Sequence, residues 1–450
     1  MLEKKWLKKK AQAVREVDYI DPALYRKYGV KRGLRNDNGT GVLVGLTNIG
    51  NVHGYVMDEG EKRAIPGELY YRGINVKDIV MADKREHRFG YEETAYLLLF
   101  GELPTMKELA DWKNKIGSYR KLSKSFRDTA VMKHPPKDLM NALARSVLFA
   151  YAFDPDGNPD EISIEKCLEQ SVDLIGSIPT IVAYAYQAKA HYHDGKSLMI
   201  RNPDPEKSTA ENILLLTRED GKYSRLEAET LDLALILHAE HGGGNNSSFT
   251  THVVTSSHSD IYSSVAASIL SLKGSRHGGA NLRVMKQMEE IMWNVKDWSN
   301  PENVKKYLER IADKKAGDRS GLIYGLGHAV YTISDPRAQL LKEKARVLAK
   351  EKGREEQMKL FEMIEDYGPA IIKAHHPRAE DVCANVDLYS GFVYDMLGIP
   401  KDLYTPLFAV ARCVSWCAHR MEELVNAGPI IRPAYKPIFH PKAYVRISDR

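Results

Sequence analysis

With 450 residues, 43% of them apolar and 28% charged, the chain has material for two or three domains and a large core. Its net charge of +5 comes from 65 basic and 60 acidic residues, too balanced to argue for nucleic acid and suited to a small anionic ligand. No window approaches the roughly 18 uninterrupted apolar residues of a membrane span. The basic N-terminal stretch has no apolar core of signal-peptide length, so secretion is not expected; Cys167, Cys383, Cys413 and Cys417 show no ligand pairing, and a cytoplasmic location is expected.

The first predicted element is the basic stretch MLEKKWLKKKAQAVR, read as a solvated helix. Alternation of apolar and polar residues is convincing only in GYVMDEGEKRAIPGELYYRG (54–73), which predicts a small hairpin. Helical signals dominate from about residue 90. YEETAYLLLFG (91–101) is an apolar helix stopped by Gly101, and Pro104-Thr105 starts the next one. The turn-rich region 196–208 reads as a surface loop between helices. EAETLDLALILHAEH (227–241) and SSVAASILSLKG (263–274) are apolar on most sides, which places them deep in a core.

Beyond residue 300 the helix grammar repeats. NPENVKKYLERIADKKAG (300–317) has Asn300 as N-cap, Pro301 as first helical residue and Gly317 as stop; DPRAQLLKEKARVLAKEKG (335–353) uses Asp335, Pro336 and Gly353 in the same way. TPLFAVARCVSWCAHRMEELVNAG (405–428) is long, periodic and ends in glycine. There is no βαβ rhythm, internal repeat or low-complexity tract, and the fold class expected is all-α.

Chemistry concentrates where an ionisable residue sits among glycines or at a helix start: GSRHGGAN (274–281), GLGHAVYTISDPRA (325–338) and ANVDLYSG (384–391). Glycine lets backbone approach a ligand and leaves N–H groups open to it, though it also merely punctuates helix ends. Arg337 opens a helix, Arg412 lies inside the long apolar one, and Arg432 follows in PIIRP. Arg412 either snorkels to the surface or is buried and needs an anion. In LHAEHGGGN, His238 and His241 stand at i and i+3, not at the i, i+4 spacing of a zinc-protease helix, so no metal site is expected. Histidines and arginines without a thiolate or carboxylate ligand set point to a small carboxylate substrate. His258, His375 and His376 show no motif and read as structural.

Taken in order, LHAEHGGGN, GSRHGGAN, GLGHAVYTISDPRA, NVDLYSG and FAVARCVSW resemble the citrate synthase family. GELYYRGINVKDI (67–79), AYLLLFGELPT (95–105), SIPTIVAYAYQ (177–187) and IIRPAYKP (430–437) extend the resemblance over most of the chain. It implies an all-α, two-domain helical fold, with residues 1–278 and 391–450 in a large domain and 279–390 in a smaller one that closes over the active site. It further implies a homodimer and a condensation of acetyl-CoA with oxaloacetate and water to citrate and CoA. No cofactor, nucleic acid or membrane is implied, since acetyl-CoA is a substrate.

The resemblance also implies roles. Asp387 resembles the base that removes a methyl proton from acetyl-CoA, His277 the group that hydrogen-bonds the thioester oxygen, and His328 the group that polarises the oxaloacetate carbonyl. His241 resembles an oxaloacetate ligand, Arg337 and Arg412 resemble carboxylate clamps, and Arg432 resembles an arginine supplied to the partner subunit's site. Gly325, Gly327 and Arg378 are the CoA-binding residues implied.

The chain departs from the family where many members meet CoA phosphates with basic residues. It has Ala329 and Thr332 there, and Ser275-Arg276 precede His277 in place of Pro-Leu. Arg276, Lys373 or Arg378 are therefore the alternatives for the phosphates. Rival readings are a 2-methylcitrate synthase using propionyl-CoA, since a methylene is typically worth only ~1–3 kcal/mol of discrimination, a metal hydrolase built on His238 and His241, and a catalytically silent helical binding protein. The complete set of His277, His328 and Asp387 argues against the last.

Overall fold

The computed structural model describes residues 4–36, 39–59, 61–154, 156–377 and 381–449, in two compact units, residues 1–46 and 47–450. The first unit carries helix α1 (Lys4–Val17), none of whose residues is buried, as the reading of a solvated basic helix requires. A short helix, Pro22–Lys27, follows, started by Asp21 as N-cap.

Strands of the second unit form one antiparallel sheet in the order β1 (Gly50–Asp58), β2 (Glu61–Tyr71), β3 (Ile74–Asn75). This is the hairpin expected from 54–73, begun four residues earlier. The helices that build the site are α2 (Ile164–Asp194), α3 (Arg225–His238), α4 (Asn246–Thr255), α5 (Ile261–Lys273), α6 (Ala280–Asn294), α7 (Pro336–Glu351), α8 (Val386–Met396) and α9 (Tyr404–Asn426). Among the described residues no helix is long and apolar enough to cross a membrane.

Helix starts follow side-chain chemistry. Ser224 and Glu227 close a capping box on α3, Asp260 caps α5, Asp335 caps α7 with Pro336 behind it, and Asn385 caps α8. Gly101 stops its helix as expected, in the left-handed region, and Gly195 ends α2 in the same way, but three other helix ends depart from the glycine rule. α3 stops at His238, not at His241, because Tyr71 Oη donates to Ile236 O (2.9 Å) and Glu240 O (3.3 Å) and holds the chain beyond the helix. The helix after Asn300 stops at Ala312, where Lys315 and Ala316 N–H both turn back to Arg310 O, and Gly317 N–H goes instead to Glu290. α9 ends on Ala427 in the left-handed region (φ 44°), one residue before Gly428.

The core centres on α9, buried almost continuously from Tyr404 to Arg420 and packed against α2 and α4. The sheet has a second task. Gly67 N–H donates to Ser334 Oγ (3.1 Å) and Tyr331 Oη donates to Glu68 O (3.1 Å), so β2 fixes the segment between Gly327 and α7. A Cβ on Gly67 would lie 2.1 Å from Ser334 O. The Gly67→Ala variant is therefore expected to lose about 2 kcal/mol of stability, read as an earlier transition in thermal or urea unfolding.

Candidate functional site

Arg412 lies inside α9 and is fully buried, which settles the choice between snorkelling and burial. Its Nε–H donates to His238 O (2.7 Å), while Nη1 and Nη2 find no hydrogen-bond partner among the described residues. Burial pulls its pKa down to about 10 despite nearby Glu240, yet at neutral pH it stays a cation. A buried guanidinium with two open nitrogens has the charge and donor geometry to take a carboxylate.

The turn after α3 supplies the next group. His241 Nε2 is buried without a partner among the described residues, and burial, with Arg337, His328 and Arg412 around it, holds the ring neutral. The His241 ring meets that of His328 edge-on, centroids 4.9 Å apart, and Tyr331 stacks on His328 at 4.7 Å. His328 Nδ1 accepts from the N–H groups of Val330 and Tyr331, each at 3.1 Å, which assigns the ring proton of the neutral form to Nε2. His238 is neutral too, buried against Phe408 and Tyr394.

His328 and Asp387 are tied together through the backbone. Gly327 N–H donates to Cys383 O (2.8 Å), Asn385 N–H to Gly325 O (2.9 Å), and Asn385 Nδ2 to Gly327 O (2.8 Å). Asn385 Oδ1 in turn accepts from Asp387 N–H (3.0 Å), so one side chain both caps α8 and clamps the histidine loop. Gly325 takes a positive φ of 87° where a Cβ would press on Leu388, and so lets that loop lie flat on α8. Asp387 sits in the first turn of α8. Burial, opposed by Arg337 and reinforced by Asp335, raises its pKa to about 6. It is thus a carboxylate at neutral pH, with a proton affinity matched to general-base work.

Arg337 is buried and held by Asp335, Nε to Oδ1 at 3.0 Å and Nη2 to Oδ2 at 2.7 Å, with its guanidinium 5.9 Å from the Tyr331 ring. His277 lies in the turn between α5 and α6. Its Nε2 is 3.3 Å from Ser247 Oγ, which also accepts from Trp416 Nε1 (3.2 Å). Burial and Arg412 lower the His277 pKa to about 4, so it too is neutral.

Six residues singled out in the sequence therefore come together: His241, His277, His328, Arg337, Asp387 and Arg412. Gly325 and Gly327 form the loop that carries His328. Arg432 is exposed in the tail beyond α9, where Ile431 N–H donates to Ser256 Oγ (3.1 Å), and the chain does not bring it to this cluster. Arg378 lies outside the described residues. Arg276 is exposed, and Lys373 pairs with Asp381 (3.2 Å) beside a cavity of about 250 Å³ that Ile372 and Val382 also line. Asn385, Ser247 and Tyr331 were not picked out by sequence reasoning. Only Asn385 left a signal, as a capping residue two positions before an acidic one.

The family model described as citrate synthase, C-terminal domain, matches residues 38–434. The chain belongs to the citrate synthase family. It is thereby an acyltransferase. It is similar to the citrate synthase of Haloferax volcanii, 32% identical over 90% of this chain and 94% of that protein, and to 2-methylcitrate synthase 1 of Corynebacterium glutamicum, 31% identical over 85% and 92%. Among solved structures it resembles citrate synthase from Pyrobaculum aerophilum, with TM-score 0.73 and 30% identity over 91% of this chain and 94% of that one. It also resembles the Thermoplasma acidophilum citrate synthase in ternary complex with carboxymethyl coenzyme A and oxaloacetate, with TM-score 0.75 and 26% identity over 94% and 99%.

Asp387 gives a paired prediction. On the expectation that Asp387 is the base, turnover should fall as pH drops through about 6 and the carboxylate takes up its proton, and Asp387→Asn should lose roughly 10²–10⁴-fold in kcat. A carboxylate whose folded pKa lies above its unfolded value weakens the fold once pH exceeds the unfolded one. Asp387→Asn should therefore melt above the wild type at pH 7.5, with the difference closing below about pH 4.

Proposed function

We propose that the chain condenses acetyl-CoA with oxaloacetate and water, giving citrate and CoA by way of an enol and citryl-CoA. The observation that carries this reading is the buried Arg412 fork with two open nitrogens, set beside His241 and Arg337. A dicarboxylate keto acid matches that charge and donor pattern.

In this reading Arg412 and His241 hold one end of oxaloacetate, and Arg337, loosened from Asp335, meets the other. His328 donates from Nε2 to the ketone oxygen and polarises it. Asp387 takes a proton from the thioester methyl group, a very weak acid, while neutral His277 hydrogen-bonds the thioester oxygen and stabilises the enol. The enol carbon attacks the polarised ketone, and the new hydroxyl takes its proton from the His328 side. Water then cleaves the thioester of citryl-CoA and releases the CoA thiol.

His241, His277 and Arg412 come from residues 1–278 and 391–450, whereas His328, Arg337 and Asp387 come from 279–390. We assign the second segment to a small domain that closes on the first and excludes water from the thioester. Gly325, Gly327 and the Lys373–Arg378 region are assigned to CoA. Arg432, exposed on its tail, is assigned to the site of a partner subunit in a homodimer. The reading places the enzyme in the cytoplasm and the tricarboxylic acid cycle, with no resident cofactor or metal.

The similarity to 2-methylcitrate synthases keeps propionyl-CoA as a second reading with the same groups. Thiol release from each acyl-CoA, with oxaloacetate and a chelator present, separates them. Faster turnover of acetyl-CoA is expected. Faster turnover of propionyl-CoA would move the assignment to 2-methylcitrate, and no thiol from either would overturn the enzyme reading.

A further inference from the structure

Behind the site runs a buried polar chain that the mechanism above does not use. Glu240, between the substrate-facing His241 and the core, is fully buried and reaches His419 of α9, Oε2 to Nε2 at 3.1 Å. Its Oε1 accepts the N–H of Gly242. On the far side, His419 Nδ1 meets His252 Nε2 of α4 at 3.1 Å, and His252 Nδ1 meets Glu423 Oε2 at 2.7 Å. Glu422 Oε2 stands 3.8 Å from His419 Nδ1, while its Oε1 accepts from Asn48 N–H (2.6 Å).

The charges follow from these contacts. Burial alone would neutralise both members of the central pair, but their mutual attraction wins. His419 is raised to about 9 and Glu240 is lowered to about 2, the latter helped by Arg412. His252 is lowered by burial and by the His419 charge, and so accepts from His419 and donates to Glu423. The pair is a buried imidazolium–carboxylate, with its outer charge continued to Glu423 near the surface.

Glu240 is an internal competitor for the substrate. It is the anion whose field Arg412 feels most strongly, and the Nη1 and Nη2 donors of Arg412 are open. A buried carboxylate that lost its imidazolium would turn to the best remaining cation. The main chain of the same few residues holds both Arg412, through His238 O, and His241, so any shift of Glu240 also moves the histidine ligand.

We propose that His419 is a positioning residue: by engaging Glu240 it keeps that carboxylate off Arg412, leaving the guanidinium fork and His241 set for the carboxylate of oxaloacetate. This rests on the oxaloacetate reading. The groups facing His419 are Glu240 on the turn after α3, His252 on α4, and Glu422 and Glu423 on its own helix. Arg72, after β2, lies within the fields of Glu240 and Glu422. Of these, His419 is the one whose charge is lost near pH 9.

The test is oxaloacetate binding by calorimetry on the full-length protein, without acyl-CoA. Wild-type Kd is expected to be flat from pH 7 to 8 and to rise as pH passes about 9. His419→Gln should weaken binding about tenfold at pH 7.5 and abolish the limb near pH 9. Adding Glu240→Gln in that background removes the competing anion and should restore Kd to within about threefold of wild type. A merely structural pair predicts the opposite, with the double variant binding no better than His419→Gln. Unchanged Kd and pH profile in His419→Gln would overturn the proposal, as would binding abolished by a chelator, which would make the histidine–glutamate group a metal site. Should the variants fail to fold, the wild-type pH profile decides by its onset: a rise that begins near pH 9 supports the proposal, and a profile flat until about pH 10, where Arg412 loses its own charge, overturns it. Wild-type protein that binds no oxaloacetate at any pH fails the functional reading itself.

Discussion

A guanidinium cannot shed its charge, and Arg412 holds one in the middle of α9 with two nitrogens unpaired among the described residues. Burying an ion without a full set of partners costs several kcal/mol. The rest of the site can be understood as what makes that cost tolerable and useful. His238 O takes one donor, Glu240 supplies a balancing field, and in the proposed reading the remaining two nitrogens take a ligand. A dianion that fills them stabilises the fold as it binds, since it interacts with the native site and not with the unfolded chain.

Around this cation the protein sorts its carboxylates by environment. Asp335 is spent on Arg337, Glu240 on His419, and Asp387 is left with a raised pKa and a nearby but opposed pair of charges. Three acidic side chains thus carry three duties: one clamps, one is held aside, and one is free to take a proton. The histidines divide similarly. Burial and neighbouring arginines keep His241 and His277 neutral, while His419 is charged because its partner is a buried carboxylate.

The histidine and aspartate motifs were legible in the sequence because each sits beside glycines or a helix cap, and local grammar marks both. The fold class was legible for the same reason, in runs such as 335–353 whose cap, proline and periodicity agree. Helix ends were less so: Tyr71 ends α3 from more than 160 residues away, which no local rule contains. Arg412 could be read as buried or snorkelling, because periodicity shows an apolar helix but not that every side is covered. Ser247, Tyr331 and the Glu240–His419 pair stayed hidden, since their meaning lies in partners brought together only by packing. Asn385 was within a quoted motif, yet its clamp on Gly327 spans 58 residues.

The central claim is that Arg412 is the receptor for a substrate carboxylate and Asp387 is not. Calorimetric titration of oxaloacetate into Arg412→Gln and Asp387→Asn, both shown folded by circular dichroism, tests it most directly. The account predicts binding weakened about a hundredfold in Arg412→Gln and within about threefold of wild type in Asp387→Asn. Wild-type affinity in Arg412→Gln would contradict it, because the buried fork would then have no part in holding the substrate.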